Sequence, residues 1–337
     1  MKVLVTGSTG LLGNNLVRQL SKRGDQVISL VRSEKKGKWL LGDTNTTLVV
    51  GDMRNIAGFA EMLNGCEAVF HTAAYFREYY QPGDHAQALN DINIKGTLNL
   101  MAEADKRGVR RFIHVSSAGS IGMKPDGEPG DEETPPLPGQ MTNLYFKSKV
   151  EGDQAIRAWQ PKHGLEIVEI LPGWMWGPGD AAPTAAGQLA LDFLARKLPA
   201  ILDGGACVVD ARDVADAMIA ALDKGVAGQK YIVGGVYYSL EEILKRLEEV
   251  SGVPAPKIHL PHYAVIAYAW CVELFGQLTG KEVLITREGI NVMHAKLQVT
   301  SEKAKRELGT QFRPLPETLK DVVAWYKENS LSRAVAG

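Results

Sequence analysis

The chain has 337 residues, enough for one large core or two modest lobes, and its 45% apolar and 23% charged content is that of a soluble globular protein. Its 38 basic and 39 acidic residues leave a net charge of −1, which speaks against a nucleic-acid surface, since such a surface needs a basic face. Cys66, Cys207 and Cys271 are widely spaced with no paired arrangement, and read as buried free thiols in a reducing compartment; no metal site is read from the sequence.

In chain order, short β-branched runs alternate with amphipathic stretches. Strands are predicted at Lys2–Thr6, Gln26–Val31, Thr47–Val50, Ala68–Thr72, Arg111–Ser116 and Glu166–Leu171. Between them, helical patterns cover Asn14–Lys22, Ile56–Leu63, Ile92–Lys106 and Leu144–Ala158. Alternation at this spacing calls for an α/β fold, a doubly wound parallel sheet of Rossmann type with helices on both faces. From Pro172 the chain becomes loop-rich, and helical patterns return at Gly187–Arg196, Asp213–Asp223, Leu240–Ser251, Tyr263–Gln277 and Ser301–Leu308. The expected organisation is a dinucleotide-binding domain over 1–171, rejoined by 210–235 with Lys230–Val233 as a strand. A smaller, mainly helical substrate lobe takes 172–209 and 236–330. Only Val3, Leu4 and Val5 separate Lys2 from Thr6, too few for a signal peptide. The most apolar window, Tyr263 to Phe275, holds Glu273 and is too short to span a bilayer, although its apolar face could lie on a membrane surface. A cytoplasmic protein is expected.

Gly7, Gly10 and Gly13 follow the first strand and open the first helix. Side chains there would push a pyrophosphate away from the helix N-terminal amides, so Thr9, Leu11 and Leu12 join the three glycines as the expected cofactor loop. The second strand ends in Val31-Arg32-Ser33, without the acid that usually bonds an adenosine ribose. Arg32 can instead meet a 2′-phosphate, with Lys35 or Lys36 adding charge, so NADP(H) is favoured and NAD(H) stays open. Asp52 closes the third strand, where it can accept from an adenine amino group while Met53 packs on the ring; a helix N-cap is the other reading. Thr72, Ala73 and Ala74 end the fourth strand with small residues that let the backbone approach the cofactor, and His71 reads as a buried structural histidine.

Tyr145 and Lys149 stand one helical turn apart. The ammonium can lower the phenol pKa from its usual value of about 10, each unit requiring about 1.4 kcal/mol. Tyr145 then serves as general acid for a carbonyl being reduced, or as general base for an alcohol being oxidised. Ser117, at the end of the fifth strand, would hydrogen-bond the reacting oxygen. Asn93 could hold a water behind Lys149 in a proton relay, or simply bond local backbone.

With these residues in place the chain resembles the extended short-chain dehydrogenase/reductases, and most of all their dihydroflavonol-reductase-like branch, within the NAD-dependent epimerase/dehydratase superfamily. The shared landmarks run from Thr6-Gly7 through His71-Thr72-Ala73-Ala74, Asn93, Ser116-Ser117-Ala118, Tyr145 and Lys149 to Leu171-Pro172-Gly173. They continue through Gly177-Pro178-Gly179, Asp210-Ala211-Arg212-Asp213-Val214-Ala215 and Thr300-Ser301-Glu302-Lys303-Ala304. The resemblance implies Ser117, Tyr145 and Lys149 as a triad, Pro172 near the nicotinamide carboxamide, and a homodimer through the helices carrying Asn93 and Tyr145.

One departure narrows the reaction. Sugar-nucleotide dehydratases of the family carry an Asp-Glu pair shortly after the catalytic serine position, where this chain has Ala118-Gly119-Ser120. Nucleotide-sugar binding calls for arginines in the variable lobe, yet Arg196 and Lys197 are the only basic residues between Gly179 and Val209. Tyr75, Phe76, Tyr79, Tyr80, Trp174 and Trp176 could wall an apolar pocket, with Tyr75, Ser117, Trp174 and Trp176 as substrate contacts; the tryptophans could equally be core. The leading expectation is an NADPH-dependent reductase of an apolar aldehyde or ketone. Alternatives are a nucleotide-sugar or lipid-linked sugar epimerase/dehydrogenase, a 3β-hydroxysteroid-like dehydrogenase, and a sensor that binds NADPH without turnover.

Overall fold

A computed structural model describes residues 1–76, 79, 83–279 and 286–335. The chain opens with β1 (Lys2–Thr6), α1 (Leu11–Arg23), β2 (Gln26–Val31), α2 (Glu34–Leu41), β3 (Thr46–Val50) and β4 (Ala68–His71). It continues through α3 (Ala86–Leu89), α4 (Thr97–Lys106), β5 (Arg111–Val115), α5 (Leu144–Trp159) and β6 (Glu166–Pro172). Beyond these come β7 (Trp174–Trp176), α6 (Ala185–Leu194), β8 (Ile201–Leu202), β9 (Gly205–Asp210), α7 (Ala211–Lys224), β10 (Lys230–Val233) and β11 (Val236–Ser239). The last elements are α8 (Leu240–Ser251), β12 (His259–Leu260), α9 (His262–Thr279), α10 (Arg287–His294), α11 (Glu302–Leu308) and α12 (Leu315–Val335).

Seven strands form one parallel sheet in the order β10-β6-β5-β4-β1-β2-β3, the doubly wound arrangement expected. Strand alternation divides its apolar residues between two faces. Val3, Val5, Phe70, Ile113, Val168 and Tyr231 pack with Leu16, Val17, Val214 and Met218 of α1 and α7. Leu4, Val69, Phe112 and Ile167 pack on the other side with Leu100, Met101 and Ile156 of α4 and α5. Helix ends follow local chemistry: Gly24 takes φ +90° to stop α1, and the Asn143 side chain accepts from Phe146 N–H to start α5.

Two expected helices take another form. Ile56–Leu63 is a pair of 3-10 turns, Ile56–Gly58 and Ala60–Leu63, broken at Phe59, whose backbone leaves the helical region. The Ile92–Lys106 helix is π-wound over Asn90–Gly96 and becomes α-helical only from Thr97. That widening accompanies three bonds the periodicity does not encode: Thr97 Oγ1 donates to Asn93 O, and the Asn93 side chain makes two to the Tyr75 backbone.

The second lobe is built on Trp176, Phe193, Ile243, Leu247, Leu319, Val322 and Tyr326. It contains two small sheets that the helical reading lacked, β11-β9-β7 and β12-β8, and the long helix α12, whose Leu319, Val322, Val323 and Tyr326 stripe packs on α8. Helix α11 returns to the main sheet, packing on α7 and β10. Among the described residues no helix is long and apolar enough to cross a membrane. Cys66 and Cys207 are buried as expected, but Cys271 is exposed on α9, because it falls on the helix face turned away from Val265 and Ala269.

Candidate active site

The β1–α1 loop is shaped by its own packing before any ligand. Gly7 has φ +69°, and a Cβ there would lie 2.7 Å from Ala73 N and from Thr72 Oγ1; at Gly13 it would lie 2.2 Å from Gly7 O. These two glycines let the loop fold against the end of β4 and against itself. Gly10 is different. It is exposed, a Cβ would meet only Gly7 O at 3.3 Å, and no side chain caps α1 at this position. Leu11 and Leu12 bury their side chains, so their amide groups are what the helix start presents. A bare helix N-terminus behind an exposed glycine fits a pyrophosphate, and Gly7, Thr9, Gly10, Leu11, Leu12 and Gly13 are placed to hold one.

Around it, Thr72 Oγ1 donates to Thr6 O at 2.7 Å, which fixes Ala73 and Ala74 beside the loop. Arg32 is exposed just beyond β2. Asp52 lies just after β3 and accepts from Arg54 through both backbone and guanidinium. Those Arg54 bonds, with the Arg32 charge adding, hold its carboxyl below the usual range. Arg54 is therefore a third cation of this corner that the strand-end pattern did not single out. Met53 is buried with Ile56 and Leu100. Two further residues missed by sequence reading are Asn14 and Asn15. Their amides donate to Gly179 O at 3.0 Å and Pro178 O at 2.9 Å, tying the first segment of the second lobe to the start of α1.

At the other end of the sheet, α5 carries Tyr145 and Lys149 against the turn after β5. Lys149 is wholly buried, its Nζ donating to Val115 O at 2.9 Å and standing 5.8 Å from the Tyr145 ring centroid. Burial pushes its pKa down to about 8, against the opposing pull of Asp153 and Glu169. Ser117 caps the 3-10 turn Ala118–Ser120, its Oγ accepting from Gly119 N–H at 3.1 Å. Phe146 covers that turn so closely that a Cβ on Gly119 would lie 2.1 Å from its ring. The serine turn and the Tyr-Lys helix are thus packed together. Asn93 accepts from Tyr75 N–H at 2.7 Å, and its amide donates to Tyr75 O at 3.2 Å and to Ser148 Oγ of α5 at 3.3 Å.

The Tyr145 ring sits among Phe76, Tyr79 and Phe146, at centroid distances of 4.8, 6.4 and 5.9 Å. Tyr75 bonds His85, and Tyr79 donates to Glu288 of α10, so the second lobe reaches the aromatic wall. Burial raises the Glu288 pKa. Tyr80 lies outside the described residues. Trp174 is half-buried at the lobe surface, whereas Trp176 is 1% exposed in the lobe core, edge-on to Trp174 at 5.1 Å. The pocket-wall expectation therefore suits Trp174, and Trp176 is packing. Pro172 ends β6, buried beside Gly173, where a Cβ would strike Gly234 O and Cys207 O.

A doubly wound sheet with an open helix N-terminus after β1 and a Ser, Tyr, Lys grouping after β5 defines a nicotinamide-dependent enzyme class. Residues 3–234 match the NAD dependent epimerase/dehydratase family. A Synechocystis sp. protein whose name assigns it, provisionally, as a dihydroflavonol 4-reductase is 32% identical over 96% of this chain and 94% of its own length. Sterol demethylase protein B of Methylococcus capsulatus is 31% identical over 98% of this chain and 100% of its own. The crystal structure of gox2253 superposes with a TM-score of 0.81 at 32% identity, covering 97% of this chain and 98% of that one. The chain belongs to the NAD-dependent epimerase/dehydratase family, among the extended short-chain dehydrogenase/reductases, and is an NAD(P)-dependent enzyme of oxidoreductase type.

Proposed function

We propose that the protein is an NADPH-dependent reductase of an apolar aldehyde or ketone. The observation that carries this reading is the buried Lys149 ammonium beside the Tyr145 ring, packed against the Ser117 turn and walled by Phe76 and Tyr79. When bound, the nicotinamide supplies the hydride. Ser117 Oγ holds the substrate oxygen, and the Tyr145 hydroxyl delivers a proton to it. Lys149 favours the phenolate left behind, because an adjacent positive charge in a desolvated site stabilises the charged form. Asn93 fixes the Tyr75 backbone at the pocket edge, reaches Ser148 next to Lys149, and is the residue that would hold a relay water behind Lys149. Tyr75 and Trp174 contact substrate, with the second lobe closing over it. The Synechocystis relative is named for a flavanonol and the Methylococcus relative for a sterol, two uncharged ring compounds, and both names support an uncharged substrate.

Arg32, with Arg54 close by, selects the 2′-phosphate. Loss of absorbance at 340 nm with NADPH and with NADH, over aromatic aldehydes, aliphatic ketones and flavanonols, tests both points. Arg32→Ala should cut the NADPH preference about tenfold, equivalent to about 1.4 kcal/mol. No consumption with any carbonyl, together with tightly copurified NAD, would replace reduction by sugar epimerisation.

A further inference from the structure

One line of cross-strand partners runs over five strands of the sheet: Thr6, His71, His114, Glu169 and Lys230, from β1, β4, β5, β6 and β10. All five point to the face covered by α4 and α5, otherwise lined by Leu4, Val69, Phe112 and Ile167. Above the row, one turn apart on α5, stand Lys149 and Asp153, both buried. Asp153 Oδ1 accepts from Ser116 Oγ at 2.7 Å, and its Oδ2 lies 3.5 Å from Lys230 Nζ. His71 is satisfied by Thr6 and Thr97, and stacks on His114 at 5.5 Å. Two atoms are left over. Glu169 Oε2 and His114 Nδ1 are buried without a hydrogen-bond partner among the described residues, although His114, Asp153 and Glu169 bring their polar atoms within 4.8 Å of one another.

We propose that Asp153 and Glu169 share a single proton and a single negative charge, and that this charge is the counter-ion that keeps the buried Lys149 protonated. Two carboxyl groups with oxygens within 4.8 Å of each other and out of water do not both ionise. Asp153, with a hydroxyl donor and an ammonium beside it, is the member that carries the charge. Glu169, which among the described residues has no donor or cation of its own beside it comparable to those of Asp153, is the acid. Burial and the Asp153 charge both push the Glu169 pKa well up, in agreement. The charged and titratable groups facing the cluster are His71, His114, Lys230, Lys149 and, further along α5, Arg157. Both histidines are neutral at neutral pH, burial lowering each and the Lys149 charge adding. With two ammonium groups already present, a divalent cation between the same side chains would meet repulsion. Asp153 and Glu169 are positioning residues: they act through Lys149.

The inference rests on Tyr145 and Lys149 as the working pair, so its test has one arm that needs no turnover. In protein carrying 13C-labelled lysine, the Lys149 resonance, assigned with Lys149→Met, is followed against pH. Asp153→Asn should move its midpoint down by about one pH unit or more, whereas Glu169→Gln, which keeps the donor and the shape of the neutral acid, should leave it in place. Lys230→Met removes a like charge and should move it up, which keeps the test open if Asp153→Asn does not fold. The alkaline limb of kcat/KM for reduction should shift with the Lys149 midpoint. Equal shifts in Asp153→Asn and Glu169→Gln would overturn the shared proton. An unmoved midpoint in Asp153→Asn or in Lys230→Met, or one equivalent of metal retained through gel filtration, would overturn the counter-ion. Midpoints that move as expected while the rate profile stays fixed would uphold the counter-ion and refute the catalytic pair.

Discussion

The two ends of the sheet present polar groups by opposite means. Near β1, β2 and β3 the site is made of backbone: amides at the start of α1, an exposed Gly10, and cations at the rim such as Arg32. Near β4, β5 and β6 it is made of buried side chains, with Lys149, Asp153, Glu169 and two histidines under α5. A backbone site depends on where atoms are missing. A buried charged site depends on how protons are distributed, so it answers to pH and to single-atom changes that leave the shape intact.

The largest effect expected from breaking this contrast is at Tyr145. Tyr145→Phe keeps the ring among Phe76 and Tyr79, and should lower kcat by about a thousandfold while cofactor affinity, read by fluorescence titration, stays within about twofold. An unchanged rate would remove Tyr145 from the proton-transfer step. Next comes the backbone end. Gly13→Val drives a side chain into Gly7 O and should cost about 3 kcal/mol of stability in urea unfolding. Gly10→Val should leave stability nearly intact and weaken cofactor binding about tenfold or more, because its space faces outward. If both variants behaved alike, the division of labour between the two glycines would be wrong.

The most gradual effect, read per pH unit, sharpens the charged end. His71 is lowered to about 3 by burial, with the Lys149 charge adding, so its folded pKa lies below the ordinary 6.5. The unfolded chain binds the extra proton between these values, and stability is lost as pH falls from 6.5 towards 3. The slope is about 1.4 kcal/mol per pH unit for this histidine. His71→Asn should remove that part of the acid destabilisation in urea titrations at pH 6.5 and 5.

The contrast also explains what the sequence discloses. Glycine spacing, strand alternation and the Tyr145–Lys149 interval are local, so the parallel sheet was legible and the candidate residues of both ends could be named. The strand β10 was placed correctly: Lys230–Val233 is a short apolar run after α7, and it pairs with β6. The π-wound turn at Asn90–Gly96 was not legible, since it accompanies the Asn93 bonds to Tyr75, 18 residues away. Nor were the small strands around Trp174, too short to show a period, or Asn14 and Asn15, whose partners lie over 160 residues on. Helix α12 was missed, although Leu319, Val322, Val323 and Tyr326 carry helical spacing that could have shown it. The buried row escaped because no single strand contains more than one of its members.

That row has a consequence for how the sheet assembles. Strand pairing by hydrogen bonds alone tolerates a slip of one residue, but a slip turns every side chain of the moved strand to the opposite face. In β6 it would carry Glu169 from beneath α5 into the apolar layer of Phe70, Ile113 and Val214, and in β5 it would do the same to His114. The polar line thus acts as a ruler laid across the strands, penalising each misaligned pairing with a stranded charge or polar ring, so one register is specified before any ligand is bound.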